Sequence, residues 1–164
     1  MDRTVEIIKE AERLEEDITY SYKARYNIST FYYYMHWIFG LIIIIGTIIV
    51  GTLSFSDFKN HFLINLLSLT VIVLSMMQVF FNPSEKYQVN KHIGDEYNKL
   101  KQKIRFFYNF ELYENDLEEN KKTINRFAKE KGKLDYNSSP VLGWFYKRAK
   151  QSIEKGEHKY KVDN

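Results

Sequence analysis

The sequence predicts an all-α membrane protein, in which a two-helix transmembrane hairpin is flanked by an N-terminal amphipathic helix and a C-terminal cytoplasmic helical region. Two blocks, 35–55 and 62–81, contain no Asp, Glu, Lys or Arg, although 27% of the 164 residues are charged. Each block has the roughly 20 apolar residues that an α-helix needs to cross a bilayer. The segments outside them are charged and carry apolar residues at helical spacing. The predicted regions are therefore 1–34, 35–81 and 82–164.

The two uncharged blocks are predicted to be helices because neither alternative fits. A lipid-exposed strand could not satisfy its backbone hydrogen bonds. Two buried helices in a soluble protein would need more apolar material around them than a chain of this length offers. Only the polar segment 56–61 separates the blocks, so they must form a tight antiparallel hairpin. Trp37 and Tyr32–Tyr34 lie where an aromatic belt at the membrane interface is expected, as do Phe80 and Phe81.

Basic residues near the ends of the blocks predict the orientation of the hairpin. The connecting loop has one Lys, whereas the outer flanks have Lys23 and Arg25 on one side and six basic residues in 86–105 on the other. The positive-inside rule therefore places both termini in the cytoplasm and the loop outside. The charged N-terminal stretch has no apolar core like that of a signal peptide, so we expect it to be mature structure.

The N-terminal segment is predicted to be an amphipathic helix that runs close to, or directly into, the first span. Gly and Pro are absent up to Phe39, so nothing in the sequence breaks the helix. After the second span, Asn82–Glu85 should end one helix and begin another at Pro83. The apolar stripe of the N-terminal helix consists of Ile7, Ala11, Leu14, Ile18, Tyr22 and Tyr26.

Three further helices are predicted after the spans, with turns between them. The first begins at Pro83 and has its apolar residues from Tyr87 to Tyr108, the second covers Asp116–Lys131, and the third has its apolar residues from Val141 to Ile153. Turns are expected at Gly132 and Asn137–Pro140, and a frayed end over the last ten residues. The first 34 residues have a net charge of −2 and the region after residue 81 has +5. This asymmetry suits the two parts packing on each other, within or between subunits.

The sequence offers no catalytic, cofactor-binding or metal-binding residues, and we expect neither an enzyme nor a cofactor. It has no Cys, no Gly-rich phosphate loop, no nucleophile elbow and no zinc motif. His92 and Glu96 lie four residues apart beside Asp95, but two ligands do not make a metal site. Basic residues in 99–105 could contact nucleic acid, yet next to a membrane such residues more often face anionic headgroups. Direct nucleic-acid binding is therefore not expected.

The first span carries a stripe of small residues that exceeds the needs of an inert anchor. Small residues allow close approach of helices in lipid, where they often mark the packing face. The predicted helix-packing positions are Gly40, Thr47, Gly51 and Ser54.

The second span carries polar residues within an arc of about 140° at 100° per residue. Amides in hydrocarbon are costly unless they bond to a neighbouring helix or face water. The sequence leaves two interpretations open: these residues line a pore built from several copies, or Asn65 and Gln78 lie near the interfaces and bond across the hairpin. The pore-lining candidates are Asn65, Ser68, Ser75 and Gln78.

Several segments occur in an order and spacing that extend over nearly the whole chain. They are Tyr22-Lys23-Ala24-Arg25, the short hairpin, Pro83-Ser84-Glu85, His92, Tyr97-Asn98-Lys99-Leu100, Ile104, Ser139-Pro140 and Tyr146-Lys147-Arg148-Ala149-Lys150. In this arrangement the chain resembles the SLATT family, bacterial two-span effector domains found beside nucleotide-second-messenger and related conflict systems. The family-like cytoplasmic positions are His92, Tyr97, Leu100 and Pro140.

The resemblance implies a pore-forming or membrane-disrupting effector of anti-phage defence, whose activation harms the infected cell and limits phage spread. It also implies activation by a partner encoded alongside, either a cyclic-nucleotide synthase or a reverse transcriptase. Direct ligand sensing is not expected, since the chain has no evident nucleotide-binding module. We expect a cyclic homo-oligomer in the bacterial inner membrane. The alternatives are a membrane-tethered scaffold that docks a soluble signalling enzyme, and a phage holin, although holins rarely carry 80 structured residues after the last span.

Overall fold

The computed structural model describes residues 3–56, 59–141 and 143–155, and over this part of the chain it contains helices and no strands. The elements are α1 (Arg3–Phe55), α2 (His61–Phe81), α3 (Pro83–Phe106), a π-helical turn (Phe107–Glu111), α4 (Leu117–Tyr136) and α5 (Gly143–Glu154). The prediction of an all-α chain with two long apolar helices is confirmed. Part of the predicted loop (Asp57 and Phe58), Leu142 of the predicted last helix and the predicted frayed end over 156–164 lie outside the described residues.

Helix α1 joins the predicted N-terminal helix and the first uncharged block without interruption, over 53 residues. The absence of Gly and Pro before Gly40 explains the continuity, because no residue removes a backbone hydrogen bond or raises the backbone entropy there. The prediction that the N-terminal helix runs directly into the first block is confirmed.

The boundary between α2 and α3 is set by Asn82 and Pro83. Asn82 has left-handed backbone angles (φ 39°, ψ 60°), and its N–H donates to the carbonyl of Gln78 at 3.2 Å, which closes α2. Its side-chain amide donates to the Glu85 carboxylate at 2.6 Å, while the Glu85 N–H donates back to Asn82 Oδ1 at 3.4 Å. Pro83 then begins α3, as predicted.

The chain forms two compact units, 1–28 with 89–164, and 29–88. In the first, the buried side chains of α1 pack with those of α3 and α4, and Ile18, Ile104 and Phe107 are completely buried. The predicted apolar stripe of α1 supplies its side of this core. The core consists of Ile7, Ala11, Ile18, Tyr97, Leu100, Ile104, Phe107, Leu112, Ile124 and Phe127.

Two predicted boundaries in this unit are wrong. Helix α4 does not turn at Gly132 but continues to Tyr136; the glycine costs about 1 kcal/mol, and the packing of Leu134 on the core and the bond from Lys131 to Asp135 offset this cost. Helix α5 begins at Gly143 rather than Val141. Asp116 caps the start of α4, because its carboxylate accepts the Glu119 N–H at 2.8 Å.

The second unit is an antiparallel hairpin of α1 and α2. A Cβ placed on Gly40 would lie 3.8 Å from Gln78 Nε2, and one placed on Gly46 would lie 2.6 Å from Val71 Cγ2. Further from the loop, the Ser29 hydroxyl donates to the Tyr87 carbonyl at 3.2 Å. Residues that rise along α1 therefore meet residues that fall along α2 and the start of α3, as the short predicted loop requires.

Candidate functional site

The two apolar helices meet along a narrow seam. The half-buried positions of each helix recur at intervals of three and four residues, the spacing of two helices that pack side by side. Along this seam they are Phe39, Gly40, Ile43, Gly46, Val50 and Leu53 on α1, and Ile64, Leu67, Ser68, Val71, Leu74, Ser75 and Gln78 on α2. Gly51 is also half-buried, but a Cβ placed on it would meet no atom of α2 within 4 Å, so it lies beside the seam.

The seam contains three of the four predicted pore-lining residues. The hydroxyls of Ser68 and Ser75 each donate to a carbonyl one turn back in α2, at 2.8 Å. Gln78 lies beside Gly40 of α1. Asn65 is exposed and stands apart from these three. The structure therefore brings Ser68, Ser75 and Gln78 together against α1, and their pore-lining role stays a prediction.

The predicted small-residue stripe lies to one side of the seam. Gly40 is at its edge, Thr47 and Ser54 are exposed, and a Cβ on Gly51 would meet nothing within 4 Å. The hydroxyls of Thr47 and Ser54 donate to carbonyls of α1 at 2.7 Å. Their hydrogen bonds are therefore made within the helix, and the stripe presents small side chains outward without free hydroxyl donors. This part of α1 is open to another helix.

Gly46 is the hairpin glycine with the least room for a side chain, and the sequence reasoning missed it. It faces Val71 so closely that no side chain fits between them. It lies outside the seven-residue repeat of Gly40, Thr47 and Ser54, and that repeat drew attention away from it. The signal that could have found it is its position on the same face as Phe39 and Val50, at a spacing of seven and four.

Asn65 lies on the same side of the hairpin as the small-residue stripe. At 100° per residue, the stripe is about 90° from the seam of α1, and Asn65 is about 120° from the seam of α2. Because the helices run antiparallel, both rotations lead to the same side. The register that sets Gly46 against Val71 also brings Asn65 to the level of Gly51. We call Thr47, Gly51, Ser54 and Asn65 the outer small-residue face.

Apart from Thr52, Thr70 and the loop, the rest of the hairpin's exposed surface is mainly apolar. Ile48 is 63% exposed, Val79 81% and Phe80 84%. The most apolar windows of the two long helices are 0% and 6% buried, so neither helix is the core of the folded chain. Apolar surface of this extent marks contact with a membrane or a partner. The protein has two helices long and apolar enough to cross a membrane.

In the other unit, two family-like positions lie in or beside the core, around the buried Arg25. Tyr97 is 2% exposed, and its hydroxyl donates to Asp135 at 2.6 Å; burial, and then this hydrogen bond, raise the pKa of Tyr97 to about 12. Leu100 is a core residue. Pro140 is exposed but lines, with Arg25 and Tyr97, a cavity of about 310 Å³.

Arg25 joins three segments of this unit. Its Nη1 donates to Asn90 Oδ1 at 3.1 Å, and its Nη2 donates to the Ser139 carbonyl. Burial lowers the pKa of Arg25 from its ordinary value. The fourth family-like position, His92, is exposed and is not part of this arrangement. The arrangement holds the turn before α5 against α1 and α3.

A carboxylate on α1 collects basic groups from α3. Glu15 accepts the Tyr108 hydroxyl at 2.6 Å and lies 3.8 Å from Lys101 Nζ and 3.7 Å from Arg105 Nε. Sequence reasoning did not single out Glu15; its place beside the buried stripe of α1 was the available signal. Asp17 and Lys131, 2.9 Å apart, likewise pair an acidic residue of α1 with a basic residue of the C-terminal part. The expected packing of the acidic N-terminal part on the basic C-terminal part is confirmed within the chain.

His92 and Glu96, the pair considered above as metal ligands, have no third ligand beside them among the described residues. His92 is exposed, and the Glu96 carboxylate accepts a hydrogen bond from Lys99 at 2.7 Å, which lowers the pKa of Glu96. Among the described residues no three metal-binding side chains come together.

Comparison of the chain with protein-family models, with curated proteins and with solved structures found no match.

Proposed function

We propose that the protein is a membrane effector of bacterial anti-phage defence, which oligomerises in the inner membrane and permeabilises it when a partner activates it. The observation that carries this proposal is the outer small-residue face on an otherwise apolar, exposed hairpin. The SLATT resemblance supplies the biological setting. Both termini lie in the cytoplasm on this proposal, as the distribution of basic residues favours.

The exposed surface of the hairpin supports its placement in a bilayer. Burial of apolar surface is worth about 25 cal/mol per Å², so leaving two whole helices in water would be strongly unfavourable. A bilayer removes that cost without any further protein. The exposed Tyr34, Trp37 and Phe80 lie at the same end of the hairpin, away from the loop, and suit the interfacial layer there, where aromatic rings are enriched.

The outer small-residue face supports self-assembly of the hairpin. The space over Gly51 is open, so a helix of another copy can approach the backbone of α1 there. At the same level the exposed Asn65 carries an amide that hydrocarbon cannot satisfy. A neighbouring copy that binds here would both cover Gly51 and form a hydrogen bond with the Asn65 amide. Two helices cannot enclose water, so a pore requires this assembly.

The seam suggests how a closed state differs from an open one. Ser68, Ser75 and Gln78 lie against α1 in the present structure, so they reach a pore axis only if α2 rotates away from the seam. Asn65 lies outside the seam, on the face where a neighbouring copy binds. We therefore propose that activation separates or rotates the two helices and exposes the remaining polar residues to water.

The alternative function is a membrane anchor that docks a cytosolic signalling enzyme. The observation that favours it is that the three seam residues are already covered within one hairpin, so they need no pore to explain them. On this alternative Asn65 only supports assembly, and the helical unit of 89–155 is the docking part.

Release of a trapped dye from lipid vesicles distinguishes the two functions. The purified protein should release dye, and a variant with Asn65→Leu and Gln78→Leu should release at least tenfold less. Thr70→Leu is the matched control, because Thr70 is an exposed polar residue of α2 outside the polar arc. No release by the assembled protein, or equal release by the double variant, would remove the pore and leave the anchor.

A further inference from the structure

The outward face of α4 carries a row of positive charge that the described residues do not neutralise. Four basic residues at intervals of four, three and four share this face, about 16 Å long at 1.5 Å per residue, and all are exposed. The opposite face buries Ile124 and Phe127. Throughout the described part of the chain, no carboxylate comes within 4.0 Å of any of the four. We call Lys122, Arg126, Lys129 and Lys133 the basic face.

A segment of opposite charge precedes this face. Residues 111–119 contain five acidic residues and no basic one, whereas 121–133 contain six basic residues and one acidic one. We call 111–119 the acidic turn. Only Glu118 and Glu119, in the first turn of α4, lie within one helical turn of the basic face, and Glu118 pairs with Lys121 at 3.1 Å. The two segments are consecutive and an α-helix cannot bend back on itself, so the other carboxylates of the acidic turn cannot cover the basic face of their own chain.

Exposed aromatic rings accompany both charged surfaces. Phe110 and Tyr113, at the acidic turn, are 61% and 76% exposed, and Tyr136, at the end of the basic face, is 91% exposed. Aromatic residues and Arg are enriched in protein interfaces, where they supply most of the contact energy. Their exposure beside complementary charges indicates a protein partner.

We propose that the basic face of α4 is a docking surface for a second copy of this chain, which places its acidic turn upon it. The basic face has four positive charges, and the acidic turn has five negative charges. Of the five, Glu118 pairs with Lys121 at 3.1 Å and Asp116 caps α4, which leaves Glu111, Glu114 and Glu119 to meet a partner. The two surfaces differ, so the contact is heterologous and generates a ring or an open filament. The inference rests on the proposed membrane assembly, since copies with one orientation in a bilayer close into a ring about its normal.

A nucleic acid is the competing occupant of a basic row. Phosphate backbones extend past a row of this length, and beyond its N-terminal end they would meet the acidic turn, which repels them. A copy of the chain instead brings the charge that the row lacks.

A charge swap tests the docking in the full-length protein. Lys122→Glu with Lys129→Glu should raise the concentration at which the detergent-solubilised oligomer dissociates by about tenfold, as should Glu114→Lys with Glu119→Lys, since surface pairs contribute modestly but several are reversed at once. The combined variant should restore the wild-type mass by light scattering. Lys147→Glu with Arg148→Glu, which changes the charge equally on exposed positions of α5, should have no effect. Unchanged mass in the first variant, or no restoration in the combined one, overturns the docking.

Disulfide trapping gives a second measurement that does not depend on stability. The chain has no Cys, so Glu119→Cys chains mixed with Lys129→Cys chains in membranes should form a heterodimer on oxidation. No disulfide-linked dimer should form from Lys129→Cys chains alone, or from Lys147→Cys chains mixed with Glu119→Cys chains. Absence of the heterodimer overturns the docking, as does a loss of bound RNA or anionic lipid without a change of mass in the charge variants.

The outcomes separate this inference from the proposed function. If the charge variants change the oligomer as expected but the wild-type protein releases no dye, the docking is supported and the pore is contradicted. If the wild-type protein releases dye and none of the four charge variants changes the mass of the oligomer, the pore is supported and the docking is contradicted.

Discussion

Adding a methyl group at Gly46 tests whether the seam holds the hairpin together. The new Cβ of Gly46→Ala would lie 2.6 Å from Val71 Cγ2, about 1 Å inside the normal contact distance of carbon atoms. Valine is stiff at χ1 because it is branched at Cβ. Relief therefore requires the helices to separate, and we expect a cost of about 1–3 kcal/mol, typical of an overpacked interior.

The assay is titration of the detergent-solubilised protein with SDS. Energy transfer between two dyes, one on each apolar helix at the end of the hairpin away from the loop, measures whether the helices stay together. Gly46→Ala should lower the SDS fraction at which transfer is lost. In a Val71→Ala background, which removes Cγ2, the same change should cost close to nothing, so the double-mutant cycle should show a coupling of about 1–2 kcal/mol. Gly51→Ala is the matched control, because its Cβ meets nothing. Equal effects of the two glycine changes, or no rescue by Val71→Ala, would refute the seam.

Three further predictions concern the helical unit and the assembly. Glu15→Gln should lower the free energy of unfolding by about 2 kcal/mol, because it leaves two basic groups of α3 without their carboxylate; thermal unfolding measures this, and Glu16→Gln, at an exposed position, should change little. The pKa of Tyr97 is raised from 10.0 to about 12 in the folded protein, so its contribution to stability is complete below pH 10 and lost as the pH rises towards 12. Tyr97→Phe should reduce the loss of unfolding free energy between pH 10 and pH 12. The same pH dependence of stability in the variant and the wild-type protein would contradict this. Gly51→Ile should reduce the mass of the oligomer in detergent, and an unchanged mass would count against the outer small-residue face.

The helices could be predicted from the sequence because their signals are local. An absence of charge over 20 residues, apolar residues every three or four positions and an Asn-Pro break each act within one segment, and they located α1, α2 and the start of α3. The end of α4 could not be predicted in this way. Whether a helix tolerates Gly132 depends on the packing of Leu134 and on a bond from Lys131, which the sequence does not display.

The arrangement of the candidate site depended on contacts between segments. The polar residues of the second span were grouped by angle alone, and angle could not show that α1 covers Ser68 and Ser75 while Asn65 stays outside. That separation depends on which face of α2 meets α1. In the same way, the buried position of Arg25 follows from partners far along the chain, Asn90 and Ser139, rather than from its own neighbours.

The central claim is that copies of the hairpin assemble into a pore, and conductance across a planar lipid bilayer tests it most directly. We predict discrete current steps of uniform size when the protein is inserted, and their loss in the Asn65→Leu, Gln78→Leu variant but not in Thr70→Leu. A silent bilayer that contains inserted protein, as measured by a fluorescent label, would contradict the claim and favour the membrane anchor.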